Sequence, residues 1–221
     1  MDSPNLEESR HRRALDALQR VNRVSRSAAQ LWTDMRYVAR RSPSRPLRVL
    51  DLACGGGDVA VGLEAHAKRR GVEVQIIGCD ASPVAVARAS ERAAEVGSAA
   101  RFLRLDVLRD ELPDDADVVC STLFLHHLDE AHAIGLLGRM AAAARRMLVV
   151  QDLARSRIGY SLAYVGLHLL TRSDVARTDG PLSVRAAFTP SEAVALARHA
   201  GLAANVRRCW PRRYSLTWVR Q

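Results

Sequence analysis

Two periodicities divide the chain. Over residues 9–41 apolar side chains recur at helical spacing: Leu15, Leu18, Val21 and Val24 at steps of three, then Leu31, Met35 and Val38 at four and three. Ser42-Pro43-Ser44-Arg45-Pro46 breaks the pattern and reads as a linker. From Leu47 onward, short apolar runs alternate with helical stretches. Residues 47–53, 73–80, 101–106, 116–122 and 147–152 read as strands, and 57–70, 82–97 and 129–144 as the helices between them. Such alternation builds right-handed parallel crossovers, with helices on both faces of the sheet. The predicted organisation is an N-terminal helical cover, 1–46, followed by an α/β domain, 47–221, with a helical insertion at about 157–188.

Cap chemistry supports these limits. Ser82-Pro83 places an N-cap before a proline at the first helical position, and Asp129 opens the helix after it in the same way. Thr189-Pro190-Ser191-Glu192 is a capping box, and its helix ends near Gly201. Residues 171–188 read as a long loop, with Asp179-Gly180-Pro181 as a turn. At the C-terminus, 202–210 and 214–219 read as two strands. Only Pro211-Arg212-Arg213 joins them, so they form a hairpin, and one strand of the sheet runs antiparallel to the rest.

The densest chemical signal is Val49-Leu50-Asp51-Leu52-Ala53-Cys54-Gly55-Gly56-Gly57-Asp58, a strand running through a glycine cluster into a helix. Glycine lets backbone approach a ligand closely, and the helix start offers free N–H groups. Gly55-x-Gly57-x-x-Ala60 alone is a loose dinucleotide fingerprint. Asp51, four residues before Gly55, changes the expected ligand: a carboxylate there repels a pyrophosphate and suits an ammonium group. Asp80 ends the next strand, where an acid can accept both hydrogen bonds of a ribose diol. Asp106 ends the third, within reach of an adenine amino group, with Val107 offering backbone. The alternative, that each Asp only caps the segment after it, stays open at this point.

VLDLACGGGDVA, IIGCDASPVAVARA, RFLRLDV and DVVCSTLFLHHL together resemble the class I S-adenosylmethionine-dependent methyltransferases, above all their small-molecule branch of quinone-pathway and natural-product tailoring enzymes. The resemblance is strong over 47–152 and looser elsewhere. It implies a Rossmann-like, seven-stranded, mostly parallel sheet with an antiparallel last strand. It implies S-adenosylmethionine as cofactor, S-adenosylhomocysteine as product and no metal. Asp51, Ala53, Cys54, Gly55 and Gly57 would hold the methionine end, Asp80 and Ala81 the ribose, Asp106 and Val107 the adenine, and Ser121 and Leu123 the methyl-bearing end. The reaction expected is methylation, at oxygen or carbon, of a small aromatic or hydrophobic acceptor.

Methyl transfer needs alignment first and a base only where the acceptor hydroxyl is poorly acidic. His126-His127 follow the fourth strand, and since neighbours point different ways at most one of them faces the acceptor; His127 is the preferred candidate, with a packing or hydrogen-bonding role as the alternative. His168, in an apolar helical run at 158–170, is a second candidate, with a buried structural histidine as the alternative. Asn22 and Arg26 share a face of the N-terminal helix and are candidates to reach the site. Cys54, Cys79 and Cys120 lie near neighbouring strand ends without metal-ligand spacing and read as packing residues.

Composition narrows the class. The chain has 221 residues and a formal charge of +9, with 33 basic side chains against 24 acidic. The excess sits at the ends: residues 1–48 carry 11 Arg and 5 acids, and residues 198–221 carry 6 Arg and no acid, which leaves the middle slightly acidic. Lys68 is the only lysine, a bias as compatible with codon preference as with phosphate binding. A nucleic-acid methyltransferase and an NAD-dependent oxidoreductase are therefore kept as alternatives. No Asn-Pro-Pro-Tyr-like element favours the first, and Asp51 and the C-terminal hairpin oppose the second. No run approaches the ~20 apolar residues of a membrane span. The residues before Leu15 lack a signal-peptide core, and the four scattered cysteines point to a reducing cytoplasm. A monomer or homodimer acting on a small molecule, without nucleic acid, is expected.

Overall fold

The structure is a computed structural model and describes residues 7–41, 45–171 and 173–221. Ser42, Pro43 and Ser44 of the expected linker lie outside the described residues. Helices α1 (Glu8–Val24) and α2 (Ser27–Arg40) come first, and then β1 (Leu47–Leu52), α3 (Asp58–Lys68), β2 (Val74–Asp80), α4 (Pro83–Val96), β3 (Arg101–Arg104) and β4 (Ala116–Thr122). A 3-10 turn, Leu125–His127, leads to α5 (Glu130–Ala143) and β5 (Ala144–Leu153). The chain continues through α6 (Arg157–Leu170), α7 (Asp174–Ala186), α8 (Pro190–His199), β6 (Asn205–Cys209) and β7 (Arg213–Val219).

The seven strands form one sheet in the order β3-β2-β1-β4-β5-β7-β6. β1 pairs in parallel with both β2 and β4, and β7 inserts antiparallel between β5 and β6. The reversed strand is thus β7, as the short connection demands. The expected Rossmann-like sheet with helices on both faces is present, and its register follows from the period of two along each strand. Val49, Val118 and Val149 face one layer with Leu31, Met35 and Val38 of α2 and Leu63 of α3. Leu50, Val119 and Leu148 face the other, with Leu136 and Met140 of α5 and Leu196 of α8. The α2 stripe seen in the sequence is therefore a core layer packed directly on the sheet.

The structure differs from the sequence expectation at two places. The single helical run over 9–41 is two helices, because the chain turns at Arg26, whose φ of 55° is left-handed. Ser25 and Ser27 hold this corner, Ser25 Oγ donating to the Val21 carbonyl at 2.7 Å. Residues 174–186, read as a loop, are helix α7, with Pro181 inside it. Ser173 caps its N-terminus, and Gly180 packs so closely on Leu167 of α6 that a Cβ there would meet Leu167 Cδ1 at 2.0 Å. Tertiary packing thus overrides the turn preference of Asp-Gly-Pro. The remaining caps lie where the sequence puts them: Ser82 accepts from Ala85 N, Asp129 from His132 N, and the Thr189–Glu192 box closes in both directions.

Candidate functional site at the strand ends

Because β1, β2, β4 and β5 run parallel, their C-terminal ends share one edge of the sheet, at the switch point where β1 neighbours both β2 and β4. The turn after β1 is built there. Ala53, Gly55 and Gly57 have φ of 53°, 54° and 71°. Gly57 also has no room for a side chain, since a Cβ would lie 2.7 Å from Ala89 Cβ and 2.8 Å from Phe102 Cζ. Asp80 locks the turn from β2: one carboxylate oxygen accepts from Gly55 N and the other from Ser82 N, both at 2.9 Å. It therefore ties the first glycine loop to the second strand end. Ala81 lies exposed beside it, and its carbonyl accepts from Arg104 Nε at 3.2 Å.

Asp51 is only 2% exposed. Among the described residues the one donor to its side chain is the Cys120 thiol, 3.6 Å from Oδ1. Burial raises its pKa to about 7, with neighbouring Asp58 and Asp80 pushing the same way and the Cys120 hydrogen bond opposing. Cys79 donates to the Asp51 carbonyl at 3.7 Å, and burial pushes its thiol up to about 12. Cys54 and Cys120 are likewise held as thiols by burial. The three cysteines thus line the wall around Asp51. Among the described residues no group of three or more His, Cys, Asp or Glu is arranged to hold a metal ion.

Helix α1 covers this turn. Leu15 lies over it, its Cβ 3.4 Å from where a Gly56 Cβ would stand. Arg92 of α4 clamps the two together: it donates to the Gly56 carbonyl, to Asp16 Oδ1 at 3.1 Å and to Gln19 Oε1 at 3.0 Å. Asn22 Nδ2 donates to Asp58 Oδ2 at 3.1 Å, so Asn22 reaches the site as expected from the sequence, whereas Arg26 lies at the α1–α2 corner. The sequence reading passed over Asp58, whose pKa is raised by burial against the opposing pull of Arg92 and Asn22. Its signal was its place as the first helical residue after the glycines.

The ends of β4 and β5 hold the second group. Ser121 Oγ donates to the Leu52 carbonyl at 3.0 Å, and Leu123, at φ 58°, donates its N–H to the Gln151 carbonyl at 2.8 Å. Thr122 Oγ1 is buried with no hydrogen-bond partner among the described residues. His126 is buried, and its Nδ1 lies 2.6 Å from Asp152 Oδ1 while its backbone N–H donates to Oδ2 at 3.0 Å. Burial alone would raise the Asp152 pKa, but His126 and these backbone donors bring it below the usual carboxylate range. An ionised Asp152 fixes the proton on Nδ1 and leaves Nε2 as the basic atom. His127 is exposed, stacks 4.1 Å from the His126 ring and lies 6.2 Å from Phe124. His168 lies on the exposed flank of α6, its Nδ1 2.7 Å from the Tyr164 carbonyl, away from this pair.

Arg213, at the start of β7, was also missed. It is buried, and its Nη1 donates to Ser27 Oγ at 2.7 Å and Asn22 Oδ1 at 3.2 Å. Burial lowers its pKa to about 10, against the opposing attraction of Asp152 and Asp58. Its hydrogen bonds thus tie the start of β7 to Asn22 and Ser27 at the α1–α2 corner. The third strand ends at Arg104, two residues before the expected Asp106, which serves the turn that follows: its Oδ1 accepts from Leu108 N at 3.0 Å, and its N–H donates to Asp110 Oδ2 at 2.8 Å. Val107 is buried, with its carbonyl bonded by Arg139 Nε at 3.1 Å.

Comparison with known proteins matches this arrangement to a methyltransferase domain over residues 49–147. The chain is 32% identical over 146 residues to a demethylmenaquinone methyltransferase of Thermus thermophilus, an overlap of 65% of this chain and 64% of that one. It is 31% identical over 160 residues to a ubiquinone biosynthesis O-methyltransferase of Pseudomonas aeruginosa, covering 70% of this chain and 64% of that one. The chain thus spans 64% of the length of each of these relatives. Among solved structures, magnesium protoporphyrin IX methyltransferase from Synechocystis PCC 6803 with bound S-adenosylhomocysteine superposes with TM-score 0.62 at 18% identity, covering 91% and 87% of the two chains. The mitomycin 7-O-methyltransferase superposes with TM-score 0.63 at 22% identity, covering 94% of this chain and 54% of that one. Sheet order, glycine turn and sequence relationship agree: residues 49–147 match a methyltransferase domain, and the chain is similar in sequence to quinone-pathway methyltransferases and in fold to a methyltransferase solved with S-adenosylhomocysteine bound.

Proposed function

We propose that this chain transfers a methyl group from S-adenosylmethionine to the oxygen of a small phenol- or enol-type acceptor. The observation that carries the reading is Asp51: a carboxylate 2% exposed, beside a glycine turn, with a thiol as its one side-chain donor among the described residues. A buried carboxylate without a cation is costly, and a cationic ligand removes that cost. S-adenosylmethionine carries an ammonium group, and when bound it supplies an electrophilic methyl on sulfonium. In this reading Asp51, with Ala53, Cys54, Gly55 and Gly57, holds the amino-acid end. Asp80, which accepts from Gly55 N and Ser82 N at the end of β2, takes the ribose hydroxyls, with Ala81 alongside. Asp106 and Val107 border the adenine, and Ser121 and Leu123 the methyl-bearing end, where the buried Thr122 hydroxyl also lies.

The base in this proposal is His126 rather than His127, because Asp152 fixes its tautomer and leaves Nε2 to take the acceptor proton. Such a base contributes about 10²–10⁴ in rate. Arg213, buried and within the electrostatic reach of Asp152 and Asp58, supplies positive charge where an acceptor oxygen becomes anionic. The N-terminal unit, 1–46, acts as the cover through α1, which lies directly on the glycine turn. The two quinone-pathway relatives support a phenolic or quinol-type acceptor. The four buried, unpaired cysteines support a reducing, cytoplasmic setting.

The test is calorimetric titration with S-adenosylhomocysteine and with NAD, followed by a mass screen of phenols and quinols for gain of one methyl. Binding of NAD in place of S-adenosylhomocysteine would sink the proposal. Methylation of nucleic acid in preference to every small phenol would overturn its acceptor class.

A further inference from the structure

Helices α6 and α7 present a surface to which the proposed function assigns no residue. Helix α6 buries only Gly159 and Leu167 fully, the latter against Ala17 of α1 and Ala176 of α7. Its outward stripe, Ile158, Leu162, Val165 and Leu169 at steps of four, three and four, is 55%, 52%, 56% and 81% exposed. Leu182 of α7 adds a further exposed apolar side chain, and Tyr160 and Tyr164 flank the stripe. An apolar patch of this kind marks an interaction site.

Its charge is one-sided. Residues 153–173 contain no Asp or Glu. At the N-terminal end of α6 a cleft of about 610 Å³ is lined by Arg155, Arg157, Arg185, Ser156, Ser161 and Tyr160. Arg155 pairs with Glu192, while among the described residues Arg157 and Arg185 have no acidic partner. Helix α7 carries two acids: Asp174 is taken by Arg10, and Asp179 also has a partner. An apolar stripe edged by tyrosines and unpaired arginines matches a helix lying in a bilayer interface, its aliphatic side chains among the acyl chains and its cations at the phosphates. At 14 residues α6 is too short to span, and no helix among the described residues is long and apolar enough to cross a membrane. A second copy fits this face less well, because pairing it with itself brings two arginine clusters together with no acid in residues 153–173 to neutralise them.

We propose that the α6–α7 face docks on an anionic lipid bilayer, the Ile158–Leu162–Val165–Leu169 stripe inserting and the Arg157/Arg185 cleft holding headgroup phosphates. The proposal stands independently of the methyl-transfer reading. It is tested by co-sedimentation of the full chain with phosphatidylcholine vesicles, with and without phosphatidylglycerol. The expected result is binding that requires phosphatidylglycerol and weakens with salt. The pairs Leu162→Glu/Leu169→Glu and Arg157→Glu/Arg185→Glu should each reduce it at least tenfold, with melting temperature unchanged, since all four side chains are exposed. Equal binding to both vesicle types, or binding insensitive to both variant pairs, overturns the proposal. So does a homodimer by light scattering that Leu162→Glu/Leu169→Glu dissociates in a protein that leaves vesicles in the supernatant. Complete displacement by millimolar inorganic phosphate would show a site for the free anion instead of a bilayer.

Discussion

Asp152 takes two hydrogen bonds from one residue, His126, through its ring Nδ1 at 2.6 Å and its backbone N–H at 3.0 Å. The first orients the imidazole and the second fixes the turn that carries it. Adjacent histidines in sequence thereby acquire different environments: His126 is buried against the β5 carboxylate, and His127 lies outside it, stacked on its neighbour.

This pairing separates the two histidines by kinetics. His126→Ala should lower kcat by about 10²–10⁴ with S-adenosylhomocysteine affinity within twofold, as expected for loss of a general base. Asp152→Asn should lower kcat too, because the amide no longer dictates the Nδ1–H tautomer. His127→Ala should change kcat less than tenfold. Steady-state kinetics on the first acceptor found measures all three, and a larger loss for His127→Ala would return the base to that residue.

If Asp51 holds the ammonium end of the cofactor, as proposed, cofactor affinity should depend on pH. Its folded pKa, about 7, lies above the usual 3.8, so below pH 7 the carboxyl is protonated and presents no charge to an ammonium group. The Kd for S-adenosylhomocysteine should therefore rise about tenfold per pH unit below 7, and Asp51→Asn should flatten that slope while weakening binding at pH 8. The stability effect has the opposite direction. Between pH 4 and 7 the folded state binds a proton that the unfolded chain releases, so Asp51 costs the fold most above pH 7 and least near pH 4. The melting temperature of Asp51→Asn should exceed that of the parent at pH 8 and converge with it at acid pH.

Two glycines with similar left-handed φ should respond differently to alanine. Gly57 has Ala89 and Phe102 within 3 Å of a Cβ, whereas Gly97, at the end of α4, has nothing within 4 Å. Gly97→Ala should cost about 1 kcal/mol, the conformational penalty alone. Gly57→Ala should cost about 2–4 kcal/mol, since overpacking adds to that penalty, and it should abolish S-adenosylhomocysteine binding. Urea unfolding and calorimetry read the two effects.

At the opposite end of the sheet, Arg45 holds Asp117 with two hydrogen bonds, at 2.6 and 2.8 Å, and Arg48 N adds a third at 3.0 Å. Burial would raise the Asp117 pKa, but these donors bring it below the usual range. Asp117→Asn should lower stability at pH 7 by about 1–3 kcal/mol, a buried-pair value reduced because Arg45 is partly exposed. The contribution is present above pH 4 and fades as pH falls through the lowered folded value, so parent and variant should converge in acid. Cofactor affinity should not change, because this pair lies at the N-terminal ends of the strands.

The sequence by itself determined the layered α/β fold. Period-two runs in β1, β4 and β5 and period-3.6 stripes such as Leu31–Met35–Val38 are local patterns that only one kind of layer can bury. The three-residue link before Arg213 forced the reversed strand. The glycines and the acids Asp51, Asp80 and Asp106 were legible because strand ends and turns announce themselves through neighbouring residues. What tertiary structure alone decided involves groups far apart in the chain. His126 meets Asp152 across two strands, and Arg213 meets Asn22 and Ser27 from nearly the other end of the chain. Arg92 finds the Gly56 carbonyl beneath α1, and Leu167 packs on Gly180 and holds Asp-Gly-Pro in a helix. No local pattern encodes such partners, because burial and the sheet order set the distances between them, and in a buried site those distances decide which side chain is charged and which carries the proton.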